Sequence, residues 1–230
     1  MAKQNTIKKT IDRQTFQIFI NVYIVLCTIF CLLPLFITIL NSLKSNENII
    51  LSIFGFTIDP KATIENYTLA YNAIKTYFIR TIILSLIGAT VDAILGSILA
   101  YIFSFKEFPF KNFLFMMFIS VMLLPSIMGM PILLPFVKDT LHLADNEFLS
   151  YIGYLLPNFA GGQVTALFLF KTFFSQQPKE IYESAEIEGA NDFRIFLKIT
   201  FPLAFPIILF QFVGIFTSLY NDYLWPSLLF

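Results

Sequence analysis

A chain of 230 residues that is 57% hydrophobic and 13% charged, with 29 phenylalanines, lacks the polar surface of a soluble domain, in which about 25% of residues are charged. Its formal net charge is zero, which removes the electrostatic basis for binding nucleic acid. The composition points instead to an all-α polytopic membrane protein, because several apolar runs approach the ~18–20 residues that cross a bilayer core.

Residues 1–15 form a polar, basic tail, too long and polar to lead an ordinary cleaved signal peptide. The first transmembrane helix is expected at 16–42, most apolar over 16–39. Cys27 and Cys31 lie four apart on one face of it, inside lipid or protein. With no other cysteine in the chain, they are expected to act as small buried hydrophobes. Residues 43–76 mix turn-type stretches (SNEN, DPKAT) with short apolar pieces and are expected to be extracytoplasmic.

From residue 77 onward the apolar runs follow one another closely and read as the membrane core. A second span is expected at 77–103. In it Ser85, Ala89, Ala93 and Ser97 recur every four residues, as do Gly88, Gly96 and Ala100 with Asp92 between them. Such rows of small side chains let helix backbones approach closely. Asp92 sits mid-span, where an ionised carboxylate costs on the order of 2.5–3.5 kcal/mol. It either faces a polar cavity or makes an interhelical hydrogen bond. The third span, at 113–136, contains Pro125, Pro131 and Pro135, whose freed carbonyls need partners in protein or water. A polar hairpin, KDTLHLADNE, leads to a fourth span at 148–170. Near its middle Gly161 and Gly162 are expected to loosen the helix, and Asn158 and Gln163 are candidates for the translocation pathway with Asp92.

A fifth span is expected at 203–219. After YNDYLWP the sequence enters SLLF, four residues where ~20 are needed to span. The reading is five spans, with the chain stopping one helix short. Of fifteen Lys and Arg residues, only Lys44, Lys61, Lys75, Arg80 and Lys138 fall on the side opposite the N-terminus. That asymmetry places the N-terminus in the cytoplasm. A membrane-embedded enzyme fits poorly: convergent acid, base and nucleophile groups are lacking, with His142 the lone histidine.

Residues 178–202, PKEIYESAEIEGANDFRIFLKITFP, hold eight of the thirty charged residues and fall on the cytoplasmic side. Pro178 suits the first turn of a helix, and Glu180 and Glu183 favour its N-terminal dipole. Gly189 is the residue type that ends a helix in the left-handed conformation, and Asn191 or Asp192 can cap a second helix running toward Pro202. A connection between adjacent helices needs only a few residues. This longer one reads either as a solvated loop or as a docking element for a cytoplasmic partner.

Glu183-Ser184-Ala185, then Gly189, Ile199 and Phe201-Pro202 resemble the EAA loop of binding-protein-dependent ABC importer permeases, with Ser184 for Ala and Phe201 for Leu as departures. NSLKS at Asn41, ENYTLAY at Glu65, AYIFSFKEFPFKN at Ala100 and YNDYLWP at Tyr220 extend the likeness over nearly the whole chain. It is most similar to the smaller, six-span permeases of carbohydrate importers, the MalG type of the MetI-like fold. The resemblance implies a bacterial inner-membrane subunit that binds no cofactor of its own. It also implies a second, MalF-like permease subunit, a cytoplasmic ATPase dimer and an extracytoplasmic solute-binding protein. Glu183, Ser184, Ala185, Gly189, Ile199 and Pro202 are then the candidates for ATPase coupling. The absence of a GxxxxGK[ST] pattern fits ATP hydrolysis in another chain. The rivals are an importer of a polyamine, phosphate ester or peptide, and a truncated, non-transporting membrane protein.

Overall fold

A computed structural model describes residues 2–230, with side-chain surroundings given from Phe16 onward except at Ser126. The described residues form helices and turns with no β-strand. They divide into two compact units, one ending at Thr76 and the other running from Tyr77 to Phe230.

In the first unit α1 (Ala2–Ser42) exposes its apolar side chains almost throughout from Phe16 to Ile39, as a helix facing lipid must. Cys27 and Cys31 are exposed on it, not buried among the chain's own side chains. The end of α1 is closed by groups from further along. Asp59 N–H donates to the Leu43 carbonyl at 3.0 Å, and Asn66 Nδ2 donates to the carbonyls of Ser42 and Lys44. These bonds satisfy carbonyls that a helix C-terminus leaves open. Lys44 is 0% exposed. Its ammonium donates at 3.0 Å to Asn41 Oδ1 and to the carbonyls of Ser52 and Ile53, gathering the chain around the short α2 (Asn46–Leu51).

The next helix, α3 (Pro60–Phe105), begins seventeen residues before the expected second span. Its start is the DPKAT stretch read as a turn. Asp59 Oδ1 accepts from the backbone N–H groups of Lys61 and Ala62, and Pro60 occupies the first helical position, where its missing N–H costs nothing.

The second unit contains the rest of α3, α4 (Lys111–Val121), α5 (Ser126–Pro135), α6 (Glu147–Phe174), α7 (Lys179–Ile187), α8 (Asp192–Ile195), α9 (Phe201–Tyr220) and α10 (Leu224–Leu229). The expected third span is broken between α4 and α5. Pro125 lacks an N–H and disfavours helical backbone at Leu124, so a new helix starts at Ser126. By contrast α6 passes through Gly161 and Gly162 without interruption. Helix-forming neighbours, and at Gly162 close packing on Asp92, outweigh the glycine cost there.

By length and composition, three helices among the described residues can cross a membrane: Phe16–Ser42, Pro60–Phe105 and Asp192–Tyr220. With its mid-helix amides and glycines, the 28-residue α6 is long enough but less apolar. The last of the three shows that the second helix of the charged window does not stop at Pro202. It continues through a π turn at Phe196–Thr200 into α9. In that turn Phe201 N–H bonds back five residues to Phe196, and the looser winding makes room for the Pro202 ring that a regular α-turn would crowd.

The unit's packing follows the small-residue rows. Ser85, Gly88, Ala89, Asp92, Ala93, Gly96, Ser97 and Ala100 are all buried. A Cβ on Gly96 would collide with that of Ala166 on α6, so the two helices cross nearly backbone to backbone. One apolar core joins Ala93, Ala100, Tyr101, Phe103, Leu167, Phe170, Phe174, Tyr182, Ile195, Phe196, Ala204 and Ile208. A second joins Val137, Tyr154, Leu155, Leu219, Trp225 and Leu229. Along α3, α6 and α9 the two cores are separated by Asp92, Asn158 and Gln211.

Candidate functional site

The charged window folds as a two-helix handle. Glu180, Glu183, Ser184 and Ile187 repeat at helical spacing and are all exposed, forming the outer stripe of α7. Ile187 is 87% exposed and Phe193, just beyond the turn, 71%. Tyr182 and Ala185 form the inner stripe. Tyr182 is buried with its ring 4.0 Å from that of Phe105, and Ala185 and Ile199 pack on the larger core. An acidic helix with apolar residues turned outward is shaped for a surface that supplies both charge and a greasy contact.

Its end is closed by a pair of backbone bonds. Ala190 N–H donates to the Ala185 carbonyl and Gly189 N–H to that of Glu186, both at 3.0 Å, while Gly189 takes φ +82°. This is the Schellman arrangement, which needs a left-handed residue at that point. Asn191 Oδ1 then accepts from Arg194 N–H at 2.9 Å and starts α8. Of the six coupling candidates, Glu183, Ser184 and Gly189 thus stand on the exposed side. Ala185 and Ile199 face inward in part, and Pro202 lies exposed on the continuing helix.

One ionic feature was not legible in the window. Lys106, the first residue past α3, lies 2.5 Å from Asp192 Oδ1 and 3.5 Å from Glu186 Oε1. The hydrogen bond to Asp192 leads in holding its ammonium above the usual lysine range, against some desolvation. Burial pushes the Tyr182 phenol up as well, and Thr200 opposes that shift from close by.

The second set of candidates lies between the two cores. Asp92 is 0% exposed and neither of its oxygens has a hydrogen-bond partner of good geometry. The Asn158 Nδ2 beside it is unpartnered too. A Cβ on Gly162 would stand 2.5 Å from Asp92 Oδ1 and 3.2 Å from Asn158 Oδ1, so these groups meet where α3 and α6 cross. Gln163 is apart from them in its bonding, since its amide donates to the Phe159 carbonyl of its own helix. Toward the other end, a cavity of about 480 Å³ is lined by Tyr77, Arg80, Tyr151, Tyr154, Tyr220 and Asp222 among others. Arg80 pairs with Glu147, whose Oε1 also accepts from the Tyr151 hydroxyl at 2.7 Å.

The chain belongs to the family described as binding-protein-dependent transport system inner membrane component, which matches residues 92–230. It is therefore a multi-pass permease subunit and not itself an enzyme. Among its relatives is the arabinooligosaccharides transport system permease protein AraQ of Bacillus subtilis, 26% identical over 92% of this chain and 74% of AraQ. The diacetylchitobiose uptake system permease protein NgcG of Streptomyces coelicolor is 26% identical over 88% of this chain and 66% of its own length. The sn-glycerol-3-phosphate transport system permease protein UgpE of Escherichia coli is 44% identical over 80 residues, covering 35% of this chain and 28% of UgpE.

Proposed function

We propose that this chain forms part of the transmembrane pathway of an ATP-driven sugar importer, with its N-terminus in the cytoplasm and residues 178–202 seated in a cleft of a cytoplasmic ATPase. A second permease subunit completes the pathway, an ATPase dimer drives it, and an extracytoplasmic binding protein delivers the solute. This chain binds no cofactor. Closure of the ATPase dimer on ATP moves α7, and the permease pair rocks between inward- and outward-facing states as rigid bodies.

The observation that carries this reading is the handle: an exposed stripe of Glu180, Glu183, Ser184 and Ile187, ended by Gly189 at φ +82° and backed by the buried Tyr182. Ser184 and Ala185 permit close packing in the cleft, Gly189 makes the turn, and Ile199 and Pro202 join the handle to α9. The relatives named for oligosaccharide transport support a sugar as solute. The relative named for sn-glycerol-3-phosphate transport favours a second reading, a phosphate ester carried by the same machinery. Asp92, Asn158 and Gln163 are pathway groups on this account.

The test is Gly189→Asp in the assembled transporter. It forces a side chain into left-handed backbone and adds an acid beside Glu186, Glu188 and Asp192. Solute-stimulated ATP hydrolysis and uptake are expected to fall together. Both at wild-type levels would remove the docking role.

A further inference from the structure

The Gly189 turn is a weak point for any force applied to α7. No heavy atom lies within 4 Å of where its Cβ would be, so packing holds the turn only through the half-buried Ala190 beside it. Glu186 stands before it in the last turn of α7, and Asp192 opens α8 beyond it. Lys106 reaches both carboxylates from the end of α3. A single cation therefore bridges the hinge and ties its two arms to a helix that runs through the whole unit. The Phe105–Tyr182 ring contact binds the first arm to α3 and the Tyr101–Phe196 ring contact binds the second, but neither reaches both arms as Lys106 does.

We infer that Lys106 is a positioning residue for energy coupling: it fixes the angle between α7 and α8 and delivers movement of α7 to both α3 and α9, instead of letting the glycine turn absorb it. The inference rests on the docking role proposed for residues 178–202. Its chemistry is that of two carboxylates sharing one ammonium; Glu186 and Asp192 are more than half exposed, so the tie is a screened one that salt weakens.

The experiment uses the complete transporter, with ATPase, second permease and binding protein, in proteoliposomes. Lys106→Met removes the charge at similar length, and Lys106→Arg keeps it on a fork able to reach two carboxylates. In Lys106→Met the ATPase is expected to co-purify at wild-type stoichiometry and hydrolyse ATP, while solute moved per ATP falls about fivefold or more. Lys106→Arg should keep most of the coupling. Asp192→Asn should reproduce the loss, and the Lys106→Met/Asp192→Asn double variant should be no worse than either single change. A wild-type transport-to-ATP ratio in Lys106→Met overturns the inference. So does a Lys106→Arg variant as uncoupled as Lys106→Met, or a Lys106→Met variant that no longer holds the ATPase, because packing or docking then explains the residue. If the wild-type chain recruits no ATPase, the docking proposal beneath it fails first.

Discussion

Replacing Gly96 by alanine sets two effects of known sign against each other. In a helix interior the change gains about 0.5–1 kcal/mol, since glycine loses more conformational freedom on folding. At this position the new methyl collides with the Ala166 side chain, and Phe170 Cε2 stands behind at 3.6 Å. Neither neighbour can yield easily, because Ala166 and Phe170 are both fully buried. Forcing extra volume into a packed core costs about 1–3 kcal/mol, so the net loss should be about 0–2.5 kcal/mol. Gly214 and Gly161 are the controls. Nothing lies within 4 Å of a Cβ on either, and alanine there should stabilise by about 0.5–1 kcal/mol. Thermal unfolding of the purified chain in detergent reads the difference, at roughly 2–4 °C per kcal/mol for a chain of this size. Gly96→Ala should melt below wild type and Gly214→Ala above it. The double variant Gly96→Ala/Ala166→Gly should recover most of the loss. A Gly96→Ala protein as stable as Gly214→Ala would refute the backbone-close crossing of α3 and α6.

Lys44→Met should destabilise the first unit by about 2 kcal/mol, because the carbonyls of Ser52 and Ile53 lose their shared donor; proteolysis within residues 43–59 measures it, and an unchanged cleavage rate would contradict the role. Phe110 holds φ +62° and is 77% exposed, so Phe110→Gly should relieve about 1–2 kcal/mol of left-handed strain at little packing loss, seen as a raised melting temperature.

How far the sequence leads depends on whether the deciding contact is local. The handle was legible because its signals lie within it: Gly189 ends α7, and Asn191 caps α8 through its own side chain. The buried face of α3 was legible for the same reason, since a four-residue repeat of small side chains specifies one face. Lys106 was not. Its partners lie about 80 residues further along, and nothing near it encodes them. The start of α3 was misread because Asp-Pro marks turns and helix N-termini alike, and only the Asp59 bonds to Lys61 and Ala62 decide between them. The passage of the last helix through Pro202 depended on a π turn, which composition does not announce. Cys27 and Cys31 were expected inside lipid or protein, and their exposure on α1 is what a lipid-facing helix allows.

The most direct test of the docking account is thiol protection at Ser184, which is exposed on the outer stripe of α7. In a background where Cys27 and Cys31 are replaced by serine, Ser184→Cys is treated with a membrane-impermeant maleimide in inside-out vesicles, with and without the ATPase bound. The account predicts rapid labelling without the ATPase and strong protection with it. Equal labelling in both states would contradict it.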